Sequence, residues 1–106
     1  MTTNPWLQPP AADEYDPYYG TYISLVPPGD FLVKARAQLD RVTEFFSSLP
    51  ADKAEHAYAP GKWTIKEVLA HLIDTERVFG YRALHFARGD ASPLPGFDQD
   101  AWSPTT

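Results

Sequence analysis

The chain has 106 residues, 43% of them hydrophobic, 22% charged and none cysteine. This composition fits one small globular domain with a modest core, and it excludes disulfides, thiolate zinc sites and cysteine nucleophiles. The formal net charge is −5, and residues 30–90 hold nine acidic and nine basic residues. Because these charges balance, no basic stripe remains to bind phosphates, and we expect no nucleic-acid partner. A chain without cysteine is compatible with the reducing cytoplasm, where we expect this protein to be located. Since no stretch approaches the ~20 apolar residues that cross a bilayer, we expect no membrane association.

Residues 1–29 are rich in proline and contain four tyrosines without a helical period. Proline removes a backbone donor and disfavours helix interiors. We therefore predict an extended N-terminal arm over residues 1–29, which packs by its aromatic side chains.

Residues 31–49 contain no proline, and their apolar residues recur at alternating steps of three and four, which predicts an amphipathic helix. Asp30 is placed to cap the amino terminus of this helix, and Pro50 ends it. The apolar positions are Leu32, Ala35, Leu39, Val42, Phe46 and Leu49.

A second amphipathic helix is predicted over residues 64–88. It opens with Thr64 and Glu67 at the spacing of a capping box, and Gly89 is the expected left-handed residue at its end. Its apolar arc contains Ile65, Val68, Leu69, Leu72, Phe79, Ala83 and Phe86.

The remaining segments are predicted to be irregular. Residues 50–63 form a long connection that we expect Tyr58, Pro60 and Trp63 to anchor, and residues 91–106 are expected to be anchored by Phe97 and Trp102. The predicted organisation is thus an arm (1–29), a helical hairpin (30–90) and an irregular C-terminal segment (91–106).

Two amphipathic helices cannot enclose a core by themselves, because each leaves part of its apolar stripe facing water. We therefore predict an all-α fold in which the hairpin is half of a four-helix bundle. Either a second copy of the chain completes the bundle as a homodimer, or this sequence is the first half of a longer domain.

Four polar residues are candidates for chemistry. His71 lies at the flank of the second apolar arc, as either a half-buried hydrogen-bonded histidine or a metal ligand, whereas His56 belongs to the loop and is expected to face solvent. His85 lies about 21 Å further along the helix axis, so it cannot share an ion with His71 in one chain. Glu76 falls inside the apolar arc, where a carboxylate needs an ion pair, a hydrogen bond or a functional partner. No residue is assigned a catalytic role.

The run from Tyr58 to Asp90, with Lys62-Trp63 before a capped helix and His71-Leu-Ile-Asp-Thr-Glu-Arg77 within it, resembles the DinB-like family, also called DinB/YfiT-like metalloenzymes. The segment Pro93-Leu-Pro-Gly-Phe-Asp98 is similar to this family too. The resemblance implies a four-helix bundle that holds a divalent metal, commonly nickel or zinc, through three histidines, of which His71 matches the first. Relatives in this family include hydrolases, isomerases and thiol S-transferases that use low-molecular-weight thiols.

This sequence has no counterpart of the other two ligand histidines, which the family carries on its last helix. We therefore expect an incomplete metal site with His71 as its one ligand, and a chain that is inactive alone. The alternative is a non-catalytic helical module that dimerises.

Overall fold

The structure is a computed structural model that describes residues 4–106. Every regular element in this range is helical and none is a strand, which confirms the predicted all-α class. The longest elements are α2 (Phe31–Ser48) and α3 (Ile65–Ala87), and the single-turn helices α1 (Gly20–Ile23) and α4 (Gln99–Trp102) accompany them. The chain divides into two compact units, Met1–Leu49 and Pro50–Thr106. The predicted division at residues 29 and 90 stays a prediction.

In the first unit, the proline-rich segment is turned rather than extended. It forms the 3-10 helices Pro5–Leu7, Ala12–Glu14 and Pro17–Tyr19 before α1. Asn4 and Asp16 each precede a proline, and their side chains accept hydrogen bonds from the backbone N–H groups two residues on. Proline at the first position of a helical turn costs no hydrogen bond, so these capped dipeptides favour short turns over an extended chain.

Helix α2 begins where the sequence predicts. The Asp30 carboxylate accepts from the amides of Leu32 and Val33 at 2.9 and 3.3 Å, which satisfies two of the unpaired donors at the helix start. The other oxygen of this carboxylate accepts from the Asn4 side chain at 3.0 Å, and the ring of Trp6 stacks on that of Phe31 at 6.0 Å. The first 3-10 turn is thereby attached to the beginning of α2.

In the second unit, the connection that precedes α3 is held mainly by its backbone. The amides of Ile65 and Lys66 donate to the carbonyls of His56 and Ala54, both at 2.9 Å, and the Lys66 ammonium pairs with Glu55 at 2.8 Å. Tyr58 is 80% exposed, so the prediction that it anchors this loop is wrong, and Pro60 is exposed as well. Loop carbonyls instead pair with amides at the beginning of α3.

Both ends of α3 follow the predicted motifs. The Thr64 hydroxyl accepts from the Glu67 amide at 3.1 Å and the Glu67 carboxylate accepts from the Thr64 amide at 3.1 Å, so the capping box is formed. At the other end Gly89 adopts φ +67°, while its amide donates to Phe86 and that of Asp90 donates to His85. This pair of bonds is a Schellman motif, in which glycine is favoured because it carries no Cβ.

The C-terminal segment forms α4 and the 3-10 helix Ser103–Thr105. Asp98 caps α4 by accepting from the amides of Asp100 and Ala101, and the ring of Phe97 stacks on that of Trp102 at 4.7 Å with an interplanar angle of 26°. The two predicted aromatic anchors therefore contact each other.

Among residues 4–106, the buried residues are His85 and Ser103, and no hydrophobic residue is buried. The expected modest core is therefore absent from the described part of the chain. The apolar arc of α3 lies at the surface, where Leu72 is 42% exposed and Phe79 is 59% exposed. No helix in the described range is both long and apolar enough to cross a membrane.

Candidate functional site

The amino-terminal half of α3 presents three polar side chains on one face. Glu67, His71 and Asp74 are spaced by four and then three residues, which places them one above the other along the helix. Together with side chains of residues 97–106, they line a small cavity, which we call the His71 cavity. The predicted candidate His71 therefore sits beside two carboxylates and next to the C-terminal segment.

The imidazole of His71 is positioned by an aromatic contact. Its ring centroid lies 5.0 Å from that of Trp63, with the planes inclined at 62° in an edge-to-face arrangement. Trp63 is half-buried and immediately precedes the helix cap, so the local structure that starts α3 also orients the histidine. The backbone carbonyl of His71 accepts from the Thr75 hydroxyl at 2.9 Å, whereas no hydrogen bond in the described structure engages its ring nitrogens. A ring nitrogen without a hydrogen-bond partner is free to bind a metal ion.

Glu67, in contrast, is fully engaged by hydrogen-bond donors. Its Oε2 accepts a short hydrogen bond from the Ser103 hydroxyl, and its Oε1 accepts from the Thr64 amide and hydroxyl at 3.1 and 2.9 Å. These donors, Ser103 foremost, hold the pKa of the Glu67 carboxyl below its ordinary value. Glu67 is therefore a charged group that attaches the C-terminal segment to the start of α3, and it is poorly suited to release a proton near neutral pH.

The described residues do not complete a metal site. In residues 4–106, no three His, Asp or Glu side chains are grouped so that they could hold one ion. The helical spacing explains this, because Glu67 and Asp74 are separated by about 10 Å along the axis and project in parallel rather than toward a common point. The role of His71 as a ligand and the identity of the metal stay predictions.

The other two histidines do not join this site. His85 is 7% exposed, with its Nδ1 3.5 Å from Asp90 and its ring edge-to-face with Phe86 at 5.4 Å. It follows His71 by 14 residues on the same helix, about 21 Å along the axis. His56 is exposed in the loop, as predicted.

The structure contradicts the prediction that the Glu76 carboxylate has a partner. The sequence predicts a carboxylate that needs a partner inside an apolar arc, but Glu76 is exposed, and no ion pair or hydrogen bond of its side chain occurs within residues 4–106. The neighbouring apolar residues Leu72 and Phe79 are themselves exposed, so water solvates this carboxylate.

Ser103 is the site residue that sequence reasoning missed. It is one of the two buried residues in the described range, and its partner Glu67 lies 36 positions away. A serine in an irregular, proline-containing segment carries no sequence signal for such a contact, whereas the capping motif did single out Glu67.

Comparison with known proteins gives two findings. A family model described as the DinB superfamily matches residues 34–106. A protein of Oceanobacillus iheyensis that bears the name "Putative metal-dependent hydrolase" is 29% identical over 75 residues, which cover 70% of this chain and 43% of that protein. The chain thus spans less than half the length of this curated relative. No solved structure matches the chain.

Proposed function

The chain belongs to the DinB superfamily, and from this membership we propose that it is a divalent-metal-binding helical protein in which His71 supplies one ligand. The metal-dependent relative supports a metal in general. Nickel and zinc are the ions that we propose, since imidazole is a favourable ligand for both. The reaction class, hydrolysis or transfer to a low-molecular-weight thiol, comes by analogy with the family.

One observation carries the proposal. The His71 imidazole is oriented by Trp63 in a polar cavity, while no described residue occupies its ring nitrogens with a hydrogen bond. A fixed ring orientation favours metal binding by a histidine. Of the two carboxylates nearby, Glu67 is already engaged by Ser103 and Thr64, so Asp74 is the acid of the cavity that remains available as a neighbour of the metal.

The residues of one described chain do not complete this centre. We propose that the missing ligands lie outside the described residues, on a second copy of the chain or on further parts of a four-helix bundle. The chain by itself is therefore proposed to bind the metal incompletely and to be inactive as an enzyme.

Calorimetric titration of the chelator-stripped chain with Ni²⁺ and with Zn²⁺ tests the proposal. We expect binding that disappears in His71→Ala and persists in His56→Ala, a matched variant that removes an exposed loop histidine. A ratio of one ion per two chains would place the site between two copies. Binding that is equal in both variants would contradict a role for His71 as a ligand, and binding that is absent from the unmodified chain would contradict the proposal that this chain holds a metal by itself.

A second candidate function is a non-catalytic helical module that dimerises. The observation in its favour is the exposed apolar arc of α3, which includes Leu72, Phe79 and Phe86. Large exposed apolar patches mark association surfaces, and a second copy is the partner that we propose for this one. A monomeric chain in sedimentation equilibrium, at concentrations up to the millimolar range, would argue against this candidate.

A further inference from the structure

An open cleft of about 360 Å³ lies between the second half of α3 and residues 94–102. Its apolar walls come from Val78 and Tyr81 on the helix and from Leu94 on the opposite side, and the stacked pair Phe97 and Trp102 adds aromatic lining. We call it the arginine cleft, because Arg77 and Arg82 also line it. Its volume falls in the range of about 300–1,000 Å³ that is typical of sites for small molecules.

The charged residues that line the arginine cleft are both basic, in a chain whose net charge is −5. Its lining contains two arginines and no acidic residue. Asp98, which follows Phe97 in the sequence, does not line the cleft, and its carboxylate accepts from the amides of Asp100 and Ala101. The electrostatic preference of the cleft is therefore for an anion.

The two guanidinium groups differ in how firmly the protein holds them. That of Arg82 donates to the Pro95 carbonyl at 3.4 Å and lies 5.8 Å from the centroid of the Phe79 ring. That of Arg77 is exposed, and within residues 4–106 it makes no hydrogen bond or ion pair. Arg82 thus connects α3 to the 94–97 segment through one of its donors, whereas Arg77 has no donor engaged within residues 4–106 and is better placed to receive an anion from solution.

We propose that the arginine cleft binds a small monocarboxylate with a flat apolar group, such as an arylalkanoate. The carboxylate pairs with the Arg77 guanidinium, whose planar fork of donors matches two carboxylate oxygens, and the apolar group lies against Phe97 and Trp102. A carboxylate fits better than a phosphate because most of the lining is apolar, which favours a ligand with a single negative charge. This site does not depend on a metal at His71, so the failure of either proposal would not contradict the other.

The test is a titration of the chelator-stripped full chain with 3-phenylpropionate, followed by two-dimensional ¹H–¹⁵N NMR. The reporter is the indole N–H of Trp102, which Trp102→Phe identifies by its disappearance. The neutral isostere of this ligand, 3-phenylpropionamide, measures how much the carboxylate charge contributes to the affinity. We expect the Trp102 signal and the backbone amide signals of Leu94, Gly96 and Phe97 to shift with the acid. The same shifts should need about tenfold more 3-phenylpropionamide, a ratio that corresponds to about 1.4 kcal/mol.

Arg77→Gln should remove the preference for the acid over the amide. Arg88→Gln is the matched control, since it removes the same charge from an exposed arginine that does not line the cleft. Arg77→Lys keeps the charge without the fork and should retain part of the preference. Equal affinities for acid and amide, equal effects of the Arg77 and Arg88 variants, or displacement of the acid by equimolar inorganic phosphate would each overturn the proposal, as would an unshifted Trp102 signal.

Discussion

The hydroxyl of Ser103 donates to the carboxylate of Glu67, and this hydrogen bond joins residues 36 positions apart in the chain. The same carboxylate completes the capping box of α3 with Thr64. One acidic side chain therefore both starts the helix that carries His71 and attaches the segment that closes the His71 cavity.

Replacing Ser103 by alanine should raise the pKa of Glu67 toward the ordinary glutamate value, because the main donor that stabilises its charged form is lost. Carboxyl ¹³C NMR titration measures this change. Ser92→Ala is the matched control, since Ser92 lowers the pKa of Asp90 by hydrogen bonding and does not contact Glu67. A Glu67 pKa that stays the same in Ser103→Ala would mean that this hydrogen bond does not form in solution.

The stability of the chain should fall in acid partly through Glu67. Because folding lowers its pKa, the unfolded chain binds this proton more tightly. The stabilisation is therefore complete above the ordinary glutamate pKa and is lost as the pH falls through the lowered folded value. Glu67→Gln keeps an acceptor for the capping box and should reduce the drop in melting temperature between about pH 7 and about pH 3. Glu76→Gln is the control, because it removes a carboxylate that is exposed. The melting temperature of this variant should fall with pH as much as that of the unmodified chain. A fall as small as that of Glu67→Gln would contradict the assignment of the acid sensitivity to Glu67.

Gly89→Ala should destabilise the end of α3. The left-handed φ of +67° costs a residue with a Cβ about 1 kcal/mol, although nothing lies within 4 Å of the added methyl group. Gly80→Ala is the control with the opposite sign, because Gly80 lies inside α3 in open space and alanine favours helix by up to about 1 kcal/mol. Urea unfolding of both variants measures the difference, and a stabilised Gly89→Ala would show that α3 does not end in the Schellman motif.

If two copies associate through the apolar arc of α3, Leu72→Ala should weaken the dimer at least about tenfold, because truncating a buried leucine costs ~2–5 kcal/mol. Leu25→Ala is a suitable control, since Leu25 is exposed and lies outside the long helices. Sedimentation equilibrium gives the two dissociation constants. Identical values for the two variants would exclude this arc of α3 as the dimer surface.

The elements that could be read from the sequence are those specified by neighbouring residues. The predicted windows 31–49 and 64–88 differ by one residue at most at each end from α2 and α3, because Asp30, Thr64 with Glu67, and Gly89 act on backbone groups within a few positions of themselves. The family assignment had the same origin, since the motif around Trp63 and His71 is continuous in the chain. Hydrophobic periodicity located the helices but misjudged Glu76, because an arc of apolar residues does not show whether anything covers it.

The tertiary structure alone decided which distant residues meet. Ser103 reaches Glu67, and the rings of Phe97 and Trp102 stack beside Arg77 and Arg82. These outcomes depend on the path of residues 91–106 back along α3, which no local propensity specifies in a segment rich in proline. Sequence by itself thus determined the helices, their ends and the family of this protein, because those depend on short-range hydrogen bonding and continuous motifs. The cavity beside His71 and the arginine cleft required the fold, because they form only where segments far apart in the chain come into contact.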